Sequence, residues 1–222
     1  MSKIIVKLIA VLLITILTAA IPVKAEKKTA PSKAGTDKIA SINLTSNNCN
    51  IDIYTSETDT FKYEYDSAKF QVTRKRDKDV MEITAKVKKG AKPSRFDRIT
   101  IYIPSQNYDS ITVNATSSGI SLPELNTNLY LTNDHGAMSI TLPADFTKEI
   151  HYNTIKGVGS IVLNEKMSDY EVDITTDKLS FIDLANGVPL SGDKTSYERK
   201  YGEGTAKIIA VVKGSIFSIE KK

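Results

Sequence analysis

Reactive side chains are scarce and scattered in this chain. His135 and His151 are its only histidines and Cys49 its only cysteine. A zinc centre built from nitrogen and sulfur needs more donors than that. The turns also lack the Gly-Gly-x-Gly-x-Asp repeat through which β-rolls hold calcium. His135 stands in the turn Asn133-Asp134-His135-Gly136, where polar side chains satisfy turn amides. His151 alternates with Ile150 and Tyr152, which places it on the outer face of a strand. Serines are abundant, Ser117 and Ser118 among them, but none sits in a nucleophile elbow or a triad pattern. Cys49 can form no intramolecular disulfide and reads as a small apolar side chain near a strand start. No cofactor is implied.

Three groups have a composition suited to proton transfer or binding. Glu171 and Asp173 alternate on one strand and form an outward-facing acid pair, although alternating charge is also what a solvated strand face shows. From Phe70 to Arg98 there are ten basic and four acidic residues. There Lys75, Lys86 and Lys88 share the face opposite Phe70, Val72, Ile83 and Val87. Such a face suits anionic envelope polymers or lipid headgroups, each nearby charge contributing roughly 1 kcal/mol at low salt. The same lysines could equally keep a sheet edge from pairing with another chain. The third group lies between Leu184 and Gly204, the longest connection, and contains Tyr197, Arg199 and Tyr201. Tyrosine beside arginine is a common contact composition, and long loops are where binding residues concentrate. Lys75, Lys86, Lys88, Tyr197, Arg199 and Tyr201 are therefore the candidate binding surface.

The elements that must position these groups are strands. In Ser110–Leu142 two short alternating runs (Ile111-Val113-Ala115, then Ile120-Leu122) are joined by a polar glycine-containing turn, and the pattern repeats from Leu129 to Leu142. Starts at Ile111, Leu129, Ile150 and Tyr170 recur at roughly 20 residues. An imperfect first copy runs from Ile42 to Ile53, and a last one from Lys207 to Ile219. Between the first copy and the rest come Phe61–Tyr65, a hairpin of Phe70–Thr73 with Met81–Val87, and Ile99–Ile103, which Pro104 ends. No 3.6-residue apolar stripe appears beyond the first 25 residues. The chain reads as all-β, a β-solenoid-like (parallel β-helix) stack of about 20-residue repeats with an N-terminal hairpin region. Glycines are expected to turn its corners, the hairpin to cap one end, and Glu220-Lys221-Lys222 to blunt the other. Five coils would span roughly 25 Å. An antiparallel β-sandwich is the alternative.

Residues 1–25 read as a secretory signal peptide: Lys3 and Lys7, an apolar run from Leu8 to Val23, and Val23-Lys24-Ala25 before Glu26-Lys27-Lys28. An uncleaved anchor is the competing reading, but the run is short for a span and contains Pro22. No cysteine lies near the cleavage point, which excludes a lipoprotein. Residues 26–38 read as a flexible linker and 39–222 as a single repeat domain. The whole chain carries 30 basic and 26 acidic residues, a balance of +4. Loss of the leader's three lysines takes it to +1. Net charge and export together argue against a nucleic-acid partner.

Phe96-Asp97-Arg98-Ile99-Thr100-Ile101-Tyr102-Ile103-Pro104, Ile111-Thr112-Val113 and Ser118-Gly119-Ile120-Ser121-Leu122 resemble the bacterial putative-adhesin family, a domain of unknown function. So do Tyr201-Gly202-Glu203-Gly204 and Lys213-Gly214-Ser215-Ile216. The resemblance runs from about Ile39 to Ile219 and implies a stacked β domain at the cell surface or envelope. It supplies no catalytic residue. The expected function is non-enzymatic binding or scaffolding there, with an anionic envelope polymer, a membrane surface or another surface protein as partner. A carbohydrate-active enzyme on a β-helix scaffold and an envelope-stress accessory that binds another protein are the alternatives.

Overall fold

The computed structural model describes residues 38–184 and 193–222. The segment read as a signal peptide, and all but Lys38 of the one read as a linker, lie outside the described residues. Each repeat folds as a coil of two strands joined by a tight corner. In chain order, β1 (Ser41–Asn47) and β2 (Asn50–Ser56) form the first coil. Then come β3 (Lys62–Glu64), β4 (Phe70–Asp77), β5 (Val80–Val87) and β6 (Ile99–Pro104). Further coils are β7 (Ser110–Thr116) with β8 (Gly119–Leu122), β9 (Asn128–Asp134) with β10 (Ala137–Leu142), and β11 (Glu149–Ile155) with β12 (Val158–Leu163). The chain continues with β13 (Tyr170–Thr176), β14 (Phe181–Leu184), β15 (Ser196–Tyr201), β16 (Ala206–Lys213) and β17 (Ile216–Lys221).

Strands of neighbouring coils pair in parallel and in register, as a solenoid requires: Ile111 lies opposite Leu129, and Leu129 opposite Ile150. Among the described residues, antiparallel pairing occurs only at the ends, where β4 meets β5, β3 meets β6 and β15 meets β13. The antiparallel sandwich is thereby set aside. The two sheets run β15-β13-β16-β11-β9-β7-β1-β5-β4 and β14-β17-β12-β10-β8-β2-β6-β3. At about 4.8 Å per strand the nine-stranded sheet is about 38 Å across, longer than five coils would make it.

The copies do not stack in the order in which they occur. β1 and β2 lie between β5/β6 and β7/β8, and β16/β17 lie between β11/β12 and β13/β14. The first and last coils of the chain are thus both interior: β1, β2 and β16 are third from an end of their sheets and β17 is second. The 220–222 tail therefore blunts no edge: Glu220 and Lys221 pair with Val162 and Leu163 inside the stack. A strand inserted between two partners has its backbone satisfied on both sides, but any order of coils leaves two edges per sheet, so backbone hydrogen bonding does not choose between the orders.

The expectation for the glycines also needs correction. At five of the corners the residue in the left-handed region is Asn48, Ser117, His135, Lys156 or Gly214, with φ of 56°, 48°, 57°, 49° and 56°; the corner between β13 and β14 has none. Only one of these is glycine. Gly136 and Gly157 come one residue later and serve close approach instead. A Cβ on Gly136 would lie 2.1 Å from the Ser118 carbonyl oxygen, and one on Gly157 would lie 2.7 Å from that of Gly136. The equivalent positions elsewhere hold Cys49, Ser118 and Ser215, all small and buried.

The core is a column of aliphatic side chains between the sheets, Leu44, Val113, Leu131, Ile150 and Ile208 among them. Where the column meets the corners it turns polar. Ser46 donates to the Ser118 hydroxyl at 2.9 Å, and Asn133 donates through Nδ2 to the carbonyls of Gly136 (3.0 Å) and Val158 (3.2 Å). Toward the C-terminal coils the aromatics Tyr152 and Phe217 pack 5.1 Å apart. The bare Gly159 makes room for them: a Cβ there would lie 2.6 Å from the Phe217 ring.

Candidate functional site

The six residues of the candidate surface separate into two groups at opposite ends of the nine-stranded sheet. Lys75 and Lys86 both face outward on the hairpin. Lys75 is in register with Glu82 and Lys86 with Gln71, about 14 Å apart along the strands. The Lys75 ammonium lies 3.9 Å from the Glu82 carboxylate. Lys88 turns away and donates to the Ser67 carbonyl at 2.6 Å. The hairpin is basic, but these three lysines do not form one compact cluster.

At the other end, Tyr197, Arg199 and Tyr201 lie on β15, so the expected long loop contains a strand; residues 185–192 of that connection lie outside the described residues. Their register with Ile174, Val172 and Tyr170 places them on the inner face of the sheet. Tyr201 stacks on Tyr170 at 4.5 Å, and the Arg199 guanidinium lies 5.0 Å over the Tyr201 ring. The alternation belongs to a strand that covers β13 at the end of the nine-stranded sheet. Glu171 and Asp173 do face outward, as expected. Glu171 is flanked in register by Lys200 and Lys207, and Asp173 by Glu198 and Ile209.

Cys49 is buried, and burial pushes its thiol up to about 11, well away from a reactive thiolate. Its Sγ donates to the Asn47 carbonyl at 3.2 Å. His135 occupies a left-handed corner with Nδ1 2.6 Å from the Asp134 carboxylate. Among the described residues, no group of three or more His, Cys, Asp or Glu side chains could hold a metal ion.

One grouping emerges only from the stack. On the outer face of the nine-stranded sheet, Thr112, Tyr130, His151 and Ile209 lie side by side on β7, β9, β11 and β16. The next outward row is Asn114, Thr132, Asn153 and Val211. These residues line a shallow depression of about 250 Å³. The Tyr130 ring, 42% exposed, stacks on the His151 imidazole at 5.2 Å and 18°. His151 Nε2 lies 3.4 Å from Glu149, whose carboxylate also lies 3.8 Å from the Lys207 ammonium. The sequence carried a signal for this: Tyr130 and His151 take the same outward position in consecutive repeats.

The outer face of the second sheet differs. Ser121, Ser139, Ser160 and Ser218 form a row across β8, β10, β12 and β17. Ser218 donates to Ser160 at 3.1 Å, and Asp52, at one end of the row, receives Arg98 at 2.9 Å. Beside it runs an apolar row of Ala137, Val158, Ile216 and Phe181.

Comparison with known proteins bears first on the architecture. A fold of this kind occurs in a crystal structure described as a "putative cell adhesion protein" from Clostridium sporogenes. That structure is 14% identical, with a TM-score of 0.59, over 89% of this chain and all of the other. A "putative adhesin" from Bacteroides fragilis aligns over 89% of this chain and 99% of its own, at 11% identity and a TM-score of 0.31. No curated protein matches. The family model described as Toastrack DUF4097 matches residues 39–173, from the start of the stack into β13, and the chain belongs to that family.

Proposed function

We propose that this Toastrack protein is exported and acts without catalysis, as a binding or scaffolding domain at the cell envelope. The observation that carries the reading is the outer face of the nine-stranded sheet. A rigid parallel ladder there holds an aromatic stack, amides and hydroxyls side by side in one depression. Parallel coils locked in register give such a surface little freedom to rearrange, which lowers the entropy cost of binding. The leader-like start of the chain supports export. The description of the Clostridium relative is compatible with a surface role.

The stack begins at Ser41, so residues 26–222 contain all of it. That form, purified and mixed with cell-wall and membrane fractions over a range of salt, is expected to sediment with at least one of them. Failure to associate with either at every salt concentration overturns the reading. Release of fragments from envelope glycans, lost in Asp173→Asn, would replace it with catalysis.

A further inference from the structure

We infer that the Tyr130–His151 depression is a binding site for a neutral oligosaccharide, an assignment that rests on the envelope-binding reading above and names its ligand class. Three observations converge on it. The first is the open aromatic face. His151 covers one side of the Tyr130 ring, while the neighbour in register on the other side is the short Thr112. An aromatic face carries negative quadrupolar charge and attracts the polarised C–H groups of a sugar's apolar face.

The second is polar capacity left over. Among the described residues, the side chains of Asn114, Thr132 and Asn153 make no hydrogen bond within the protein, although they stand in register across neighbouring strands. Asn153 Oδ1 is shielded from solvent with no partner. An unpaired shielded acceptor costs stability, and the broad χ2 of asparagine lets the amide turn that oxygen toward a ligand hydroxyl. Amides and hydroxyls repeated at the strand spacing of about 4.8 Å match a ligand with hydroxyls along its length.

The third is charge. The depression is lined by Thr112, Asn114, Tyr130, Thr132, His151 and Asn153, with Ile209 and Val211, and contains no Lys, Arg, Asp or Glu. Of the carboxylates beside it, Glu149 is engaged by His151 and Lys207, and Asp173 lies next to Ile209 at the rim. A cationic site for anionic polymer would look like the hairpin, not like this. A pocket with an aromatic wall and a few placed polar groups is the usual design for a neutral ligand.

The test uses residues 26–222 with cellotetraose, maltotetraose and the tetramer of N-acetylglucosamine as probes. Binding is read by NMR shift perturbation and titration calorimetry. At least one probe is expected to move the Tyr130 and His151 resonances. Tyr130→Ala should weaken that binding roughly tenfold or more, and Asn153→Ala by about fivefold. Thr112→Phe fills the open side of the ring from an outward strand position. It should abolish binding with the thermal midpoint unchanged, which separates loss of the site from loss of the fold. Absence of binding to all three probes overturns the assignment, as does binding that survives Thr112→Phe. If the chain binds an envelope fraction but none of the probes, the envelope reading stands and this one falls. If the probes bind at Tyr130 and no fraction does, the sugar site stands and the envelope reading falls.

Discussion

The two ends of the stack close it by the same device and to different extents. At the hairpin end both sheets finish on an antiparallel strand, β4 in one and β3 in the other. At the far end, among the described residues, only the nine-stranded sheet does, through β15; the last strand of the other is β14, which pairs in parallel with β17. Beside β14, Leu179 is 85% exposed and Phe181 46%. An antiparallel strand lets the chain turn back toward an interior slot, which is where β16 goes after β15. It also presents a next copy with a backbone pattern that does not continue the parallel ladder. All four edge strands are short or charged: β3 has three residues, β14 four, and β4 and β15 carry Arg74-Lys75-Arg76 and Glu198-Arg199-Lys200. Short and charged edges are how sheets resist pairing with other chains.

If the ends are unequal, substitutions at each should differ in size. Phe70 on β4 is 1% exposed, and Phe70→Ala should lower unfolding stability by about 3–5 kcal/mol in a urea titration. Its counterpart Tyr201→Ala, which removes the stack on Tyr170 at a half-buried position, should cost about 1–2 kcal/mol. Equal losses would show that β15 closes its end as fully as the hairpin closes the other.

Acid should loosen both ends, with a local signature at each. Hydrogen bonds from Ser180 Oγ and the Gly214 amide hold the Asp177 carboxyl below its ordinary value, and the Lys69 ammonium does the same for Asp97 near the hairpin. A depressed folded value stabilises the protein above the unfolded value of about 3.8 and loses that effect as pH falls through the folded one. Asp177→Asn should lower the thermal midpoint at pH 7 and flatten its fall below about pH 4. In the unaltered protein, hydrogen exchange at Gly214 should accelerate over the same acid range; exchange indifferent to pH beyond the intrinsic rate would remove Asp177 from this role. The smallest effect belongs to the exposed pair: Lys75→Ala should change stability by no more than ~0.5 kcal/mol in the same urea titration.

Strand identity was legible because burial alternates with period two. Ile111, Val113 and Ala115 are buried as the pattern requires, and so are Leu129, Leu131 and Met138. The hairpin of Phe70 with Val87 and the outward position of His151 were readable on the same ground. β15 was not, since Tyr197-Glu198-Arg199-Lys200-Tyr201 alternates aromatic and charged residues and has an inner face only because Tyr170 and Ile174 lie beside it. Nor was the glycine role at the corners. A glycine that permits positive φ and one that permits a carbonyl at 2.1 Å look alike in a string of letters.

What the sequence determined by itself, then, was the coil: two alternating runs, a corner, and a period near 20 residues, all of which depend on local geometry and which face of a strand is apolar. Only the tertiary structure decided the order of the coils, the interior place of both terminal copies, and the meeting of Tyr130 with His151 above Asn114 and Asn153. The physical reason is that every coil offers nearly the same parallel ladder to its neighbours. Local pattern therefore cannot choose between adjacent slots. The choice falls to inner-face fit, such as Gly159 admitting Phe217 beside Tyr152, and to closing strands that exist as such only once the stack is built.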